Sequence, residues 1–329
     1  MKISWQTQMQ NAFTDFKTLC EYLQLSFESL NLSNDAAKKF PLRVPQAFAS
    51  RIEKSNPNDP LLRQVLPIGD ELSHYDGFSD DPVGDLSSVK QTGLLHKYYG
   101  RVLLINTGVC AIHCRYCFRR NFPYADLKLN KLQENTVIET IKNDESIKEV
   151  ILSGGDPLIL NDARLEKLFD AFAEIPTLKR IRIHTRLPIV LPDRVTEELL
   201  IILKNSPKKI IVVIHCNHAN EIDEDVAKAC LRLTSAGVTL LNQSVLLSGV
   251  NDSAAALCEL SERLFEVGVL PYYLHFLDKA NGTGHFQVSE REAIALLNAV
   301  QNQLSGYLVP KLVTEQAGEL AKQYLKNGG

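Results

Sequence analysis

Residues 101–117 read RVLLINTGVCAIHCRYC, and the chain is best read outward from them. The first six residues are β-rich and apolar, the mark of a buried strand. The remainder sets Cys110, Cys114 and Cys117 in C-x3-C-x2-C spacing directly behind that strand. Thiolates bind iron–sulfur clusters, and a four-iron cluster normally takes four protein ligands. Three cysteines therefore leave one iron open, and an open position is what chemistry needs. A structural zinc site would want a fourth Cys or His at suitable spacing. His113 adjoins Cys114 and cannot share its metal without strain. The other four cysteines, Cys20, Cys216, Cys230 and Cys258, are scattered and read as small core residues.

Beyond the cysteines, short β-rich runs alternate with longer amphipathic ones. Strands are expected at 101–106, 149–153, 180–184, 209–215, 239–246 and 270–276. Helices are expected near 132–145, 163–174, 194–204, 221–236, 252–267 and 289–304. Leu165, Leu168, Phe169 and Phe172 fall at i, i+3, i+4 and i+7, one apolar helix face. Strands separated by helices imply right-handed crossovers and a parallel sheet. Six such units are fewer than the eight of a closed barrel, so the expectation is an α/β partial (β/α)6 barrel. In such folds the C-terminal strand ends carry the active site, which is where the cysteines fall. Residues 307–313 are apolar enough to extend the sheet. Residues 1–92 read as an N-terminal helical extension whose last part, 75–93, is a connecting loop. The barrel occupies 93–305 and a tail 306–329.

The chain has 329 residues, 45% hydrophobic and 23% charged, an ordinary globular mixture. Lys and Arg number 36 against 39 Asp and Glu, a net charge of −3. That balance argues against a nucleic-acid or anionic-membrane partner. No apolar run is long enough to span a bilayer, and the N-terminus shows no secretory signal, so a cytoplasmic location is expected.

The cysteine spacing on a βα loop resembles the radical S-adenosylmethionine (SAM) superfamily. In that family the open iron chelates the methionine amino and carboxylate groups, and electron transfer generates a 5′-deoxyadenosyl radical. Ser153-Gly154-Gly155-Asp156, alone a common turn, resembles the family's segment at the SAM amino group. The resemblance narrows to lysine 2,3-aminomutases through HKYY at 96–99, CFRR at 117–120, HCNHANE at 215–221, LNQSVLL at 241–247, PYYLHFLD at 271–278 and GYLVP at 306–310. Phrases such as CRYCFRRNFPYA, HTRLPIV and PYYLHFLDK are most similar to the short branch that makes β-lysine for elongation factor P.

The resemblance implies cofactors and roles. A [4Fe–4S] cluster would sit on Cys110, Cys114 and Cys117, with SAM on it. Lys322 aligns with the lysine that forms the Schiff base to pyridoxal 5′-phosphate (PLP). Arg119 matches the partner of the substrate carboxylate, a role its guanidinium fork suits. Asp278 and Glu315 match carboxylates that bind the substrate ε-ammonium, Glu315 standing where the long aminomutases have Asp. His215 resembles a SAM contact, Gln243 a contact to SAM or PLP, and Lys97 and Tyr98 lie in a stretch used near PLP. His74, His184, His275 and His285 suggest no chemistry.

The implied activity is conversion of L-α-lysine to β-lysine, as the (R)-isomer. Its implied partners are an electron donor such as flavodoxin or ferredoxin, and elongation factor P with its lysyl ligase. Two rivals remain at this level: another radical SAM enzyme without PLP, of maturase or methylthiotransferase type, and an iron–sulfur redox sensor.

Overall fold

A computed structural model describes residues 3–27, 30–127, 129 and 131–325. The tail expected over 306–329 is therefore seen only to residue 325, its last four residues lying outside the described ones.

Ten strands form one sheet in sequence order, β1 to β10, without closing on itself. They are Val89–Gln91 (β1), Leu94–Tyr98 (β2), Arg101–Thr107 (β3), Glu149–Gly154 (β4), Arg180–Thr185 (β5), Lys209–His215 (β6), Thr239–Val245 (β7), Leu270–His275 (β8), Lys311–Thr314 (β9) and Gln323–Tyr324 (β10). From β3 to β9 every neighbouring pair is parallel. The flanking pairs β1–β2, β2–β3 and β9–β10 are antiparallel. The expected partial barrel is thus present, and the extension read at 307–313 supplies a seventh parallel strand. Short antiparallel arms then close off each flank.

Five short helices precede the sheet: Trp5–Gln10 (α1), Phe16–Tyr22 (α2), Asn34–Lys39 (α3), Gln46–Ala49 (α4) and Pro60–Arg63 (α5). The crossover helices are Lys131–Asn143 (α6), Asp162–Ala173 (α7), Leu187–Val190 (α8), Glu197–Asn205 (α9), Glu224–Ser235 (α10), Ala254–Glu266 (α11) and Glu290–Gln301 (α12). Their starts follow from capping chemistry. Asn161, Asp223 and Ser253 each accept a bond from the backbone N–H three residues on. Ser289 and Glu292 form a reciprocal capping box.

The apolar face read from Leu165, Leu168, Phe169 and Phe172 is the buried face of α7. One large core joins these residues to Trp5, Phe48 and Leu61 of the N-terminal helices. The N-terminal segment accordingly packs as part of the barrel's core, and its loop over 75–93 contains β1 as well as a buried carboxylate, Asp85. A loop rich in Asp, Ser and Gly gave no sign of either.

Candidate active site

The loop after β3 is held from outside the barrel. His113 N–H donates to Arg43 O (3.0 Å), its Nδ1 lies 2.8 Å from Pro41 O, and Arg115 N–H donates to Gln64 O (2.9 Å). The buried Arg115 guanidinium bonds both oxygens of Glu71. All seven cysteines are free thiols. Burial, then the neighbouring Cys117, pushes the Cys110 thiol well up, and burial with Cys114 raises Cys117 to about 11.

Among the described residues no three His, Cys, Asp or Glu side chains converge on a single ion. A zinc ion needs four ligands pointing at one centre. A cluster instead takes one thiolate at each of several separate irons. All three thiols line one cavity, and cysteine sulfurs are the ligands an iron–sulfur cluster takes.

That cavity measures about 480 Å³, and every residue named above for a role lines it. Cys110, Cys114, Cys117 and Arg119 come from the loop after β3, and Ser153, Gly154, Gly155 and Asp156 from the end of β4. His215 ends β6, Gln243 lies near the end of β7, and Asp278 follows β8. Glu315 directly follows β9, and Lys322 precedes β10. The parallel strands all end on this side, so residues up to 212 positions apart in sequence meet.

The two glycines of the Ser-Gly-Gly-Asp segment have a specific cause. A Cβ on Gly155 would stand 2.3 Å from Val109 O, and one on Gly154 would stand 2.5 Å from Thr107 O. Gly154 also has φ +117°, which side chains rarely adopt. Both glycines let the β4 loop lie against the cysteine loop, joined by Gly155 N–H to Thr107 O (2.7 Å) and Asp156 N–H to Val109 O (2.8 Å).

Asp156 does not offer its carboxylate to the cavity. It accepts from Thr185 Oγ1 (2.7 and 2.9 Å) and from the backbone N–H groups of Leu158, Arg186 and Leu187. Its side chain staples the β4 and β5 ends together, so any ligand contact from this segment falls to Ser153 and the backbone.

A chain of buried charges lines the same cavity. Arg119 Nε donates to Asp85 (2.7 Å) and its Nη1 to Ser153 Oγ (3.1 Å). Lys97 donates to Asp85 (3.2 Å) and to Glu315 (2.6 Å), and Glu315 is also paired with Lys322. Burial pushes Glu315 up, but Lys322 and Lys97 outweigh it and hold the carboxyl at about 2. Asp278 is the contrast. Burial raises it to about 7, with Lys322 only partly offsetting the rise. Unlike Asp85 and Glu315, it has no ion pair among the described residues, and a cationic ligand end would supply one.

Two buried ring nitrogens on the cavity wall have no protein partner: His184 Nε2 and His215 Nε2. Burial, then Arg186, lowers His215 to about 3, so its ring is neutral. Gln243 Nε2 lies 3.4 Å from His184 Nδ1. Such orphaned groups are costly unless a ligand satisfies them. They fit a large polar cofactor beside the thiols and Lys322.

The sequence reading passed over His184 and His275, which both line this cavity, and gave no role to Asp85 or Arg186. Alternation along β5 and β8 was the available signal for the histidines. Nothing local marked Asp85.

A thiol triad on the first parallel strand's loop, a glycine-backed second strand end and an open cavity at the strand C-termini define the class: a radical SAM enzyme, working with a [4Fe–4S] cluster and S-adenosylmethionine. Residues 104–260 match the family model of the Radical SAM superfamily. The chain is 49% identical over 319 residues to the L-lysine 2,3-aminomutase of Escherichia coli, covering 97% of this chain and 93% of that one. It is 46% identical over 316 residues to that of Haemophilus influenzae, covering 96% and 94%. With the Acetoanaerobium sticklandii enzyme of the same name it shares 35% over 315 residues, covering 95% of this chain and 76% of the longer relative. The chain belongs to the lysine 2,3-aminomutase family.

Proposed function

We propose that this chain moves the α-amino group of L-lysine to the neighbouring carbon, making β-lysine as its (R)-isomer. The observation that carries the reading is the single cavity on which the three thiols, Arg119, Asp278, Glu315 and Lys322 all open. When bound, SAM on the reduced cluster supplies a hydrogen-abstracting radical, and PLP supplies a conjugated system that stabilises the nitrogen's migration.

The chain's own residues bind and orient. Cys110, Cys114 and Cys117 would hold the cluster, and SAM would bind beside them. Ser153 with the backbone of Gly154 and Gly155, and the neutral His215 and Gln243, meet SAM or PLP. Lys322 would hold PLP, and in this structure its ammonium pairs with Glu315. Arg119, fixed by Asp85, grips the lysine carboxylate, and Asp278 takes the ε-ammonium. Glu315 already answers two lysines, so its help to the substrate is electrostatic support behind Asp278. Fixing both ends of lysine between two loops is mainly a positioning task, the kind that removes much of a barrier.

The product would serve elongation factor P, whose lysyl ligase would attach the β-lysyl group, and the protein's electron donor would be a flavodoxin or ferredoxin. Residues 93–305 act as the catalytic barrel, 1–92 as its support and 306–329 as the PLP segment. Among the described residues no helix is long and apolar enough to cross a membrane. A cytoplasmic site of action fits the substrate and the free thiols.

The test is anaerobic reconstitution with iron, sulfide and PLP, followed by L-lysine, SAM and a reductant, with chiral analysis of the products. (R)-β-lysine formation that stops when PLP is left out supports the reading. SAM cleavage with lysine unchanged would refute it.

A further inference from the structure

We propose that Arg186 sets the reduction potential of the cluster through Cys114, with Glu221 as its counter-charge; this rests on the reading of Cys110, Cys114 and Cys117 as cluster ligands. Arg186 Nη1 donates to Cys114 Sγ at 2.7 Å. The substrate clamp described above does not use this arginine, which is buried, 6% exposed.

Every direction of escape is closed. Nη2 donates to Gln64 Oε1 (2.6 Å) and Glu221 Oε2 (2.9 Å). The guanidinium lies over the Phe48 ring at 5.3 Å and the Tyr116 ring at 5.6 Å. Its own backbone N–H is tied to Asp156 Oδ2 at 2.7 Å, so the Ser-Gly-Gly-Asp segment aims it. Glu221 is fixed in turn: its Oε1 accepts from Gln64 Nε2 (3.1 Å), Asn217 N–H (2.9 Å) and His218 N–H (3.1 Å). Asn217 Nδ2 also donates to Gln64 Oε1 (3.0 Å). Gln64, Asn217 and Glu221 are fully buried.

The direction of the effect follows from charge. Reduction adds an electron to the cluster and its thiolates. A hydrogen bond and a positive charge on a ligand sulfur stabilise that added charge, raising the potential. In a water-excluded site the effect is weakly screened. Glu221 sits on the far side of the same guanidinium, so its negative charge partly cancels the field at Cys114. Arg186 thus eases the electron entry that must precede radical formation, and Glu221 limits how far.

The two partners predict shifts of opposite sign, which a purely structural role does not. Wild type, R186Q, R186K and E221Q are reconstituted anaerobically with iron and sulfide alone, without SAM, PLP or lysine. Iron per chain is counted, and the reduced-cluster EPR signal is titrated against potential with redox dyes. At a fixed poise R186Q should lower the reduced-to-oxidised ratio by about tenfold, about 59 mV for one electron. R186K should fall between R186Q and wild type, and E221Q should raise the ratio above wild type. An iron-loaded R186Q with a wild-type midpoint overturns the proposal, as does an E221Q whose midpoint is unmoved or lower. Should R186Q not retain iron, the sign of the E221Q shift decides alone. Wild-type protein that takes up no iron would instead refute the reading of the three cysteines.

Discussion

Arg119 Nε donates to Asp85 Oδ2 at 2.7 Å, and both side chains are buried. The arginine proposed to grip the substrate carboxylate is thus held in place by a residue 34 positions upstream in a loop. Burial pushes the Asp85 carboxyl up, but Arg119 and Lys97 hold it below the usual carboxylate range, so it is ionised at neutral pH. Asp85→Asn keeps the shape and removes the charge. It should lower kcat/KM for lysine roughly 10- to 100-fold, about 1.4–2.7 kcal/mol, because the buried Arg119 loses its counter-ion while Lys97 keeps Glu315. Steady-state kinetics check this, with iron content unchanged.

The thiols divide sharply. Replacing Cys110, Cys114 or Cys117 by Ala should each abolish the roughly four irons per chain and the EPR signal that responds to SAM. Cys230→Ala should do neither, since that thiol is buried in the core away from the cavity. Stoichiometric zinc without iron in reconstituted wild type would refute the cluster.

Borohydride reduction of the PLP-loaded protein should fix the cofactor on Lys322, seen as a pyridoxyl peptide by mass spectrometry. Lys322→Ala should lose the cofactor's visible absorption and all turnover while keeping its iron. An adduct on Lys279, which lies beside Gly77 outside this cavity's wall, would relocate the PLP site.

Asp278→Ala should reduce kcat/KM for lysine by about 2–4 kcal/mol, roughly 30- to 1000-fold, because a buried ammonium would be left unpaired. SAM binding and PLP loading should not change. Norleucine has lysine's chain length without the ε-ammonium, and the wild type should reject it, since Asp278 would be desolvated with nothing to pair. Unaltered lysine kinetics in Asp278→Ala would make Glu315 the ammonium site.

Asp278 also predicts two pH dependences. On the proposed role lysine's ammonium would bind the ionised form, so kcat/KM should climb as pH rises through about 7, and Asp278→Asn should lack that limb. For stability the sign is opposite. Between the ordinary value of 3.8 and about 7 the folded protein holds a proton that the unfolded chain has released. This group therefore lowers stability as pH rises across that window, and its effect is constant above it. The Tm advantage of Asp278→Asn over wild type, measured without ligands, should grow across that window and then level off.

What the sequence determined was whatever local spacing encodes. The thiol triad, alternating strands and helices, the glycines before Asp156 and the apolar face of α7 are all short-range patterns, and each takes the place it was read for. Resemblance carried Lys322 and Glu315, which no spacing singles out. Only the tertiary structure decided which of these groups already have partners. It gave Glu315 to Lys97 and Lys322, turned the Asp156 carboxylate inward, and left Asp278 buried and uncompensated. It also brought Asp85 to Arg119 and Arg186 to Cys114. The physical reason is that ionisation and hydrogen-bond pairing depend on distance and burial. Those are set where seven parallel strands end together, by residues far apart in the chain.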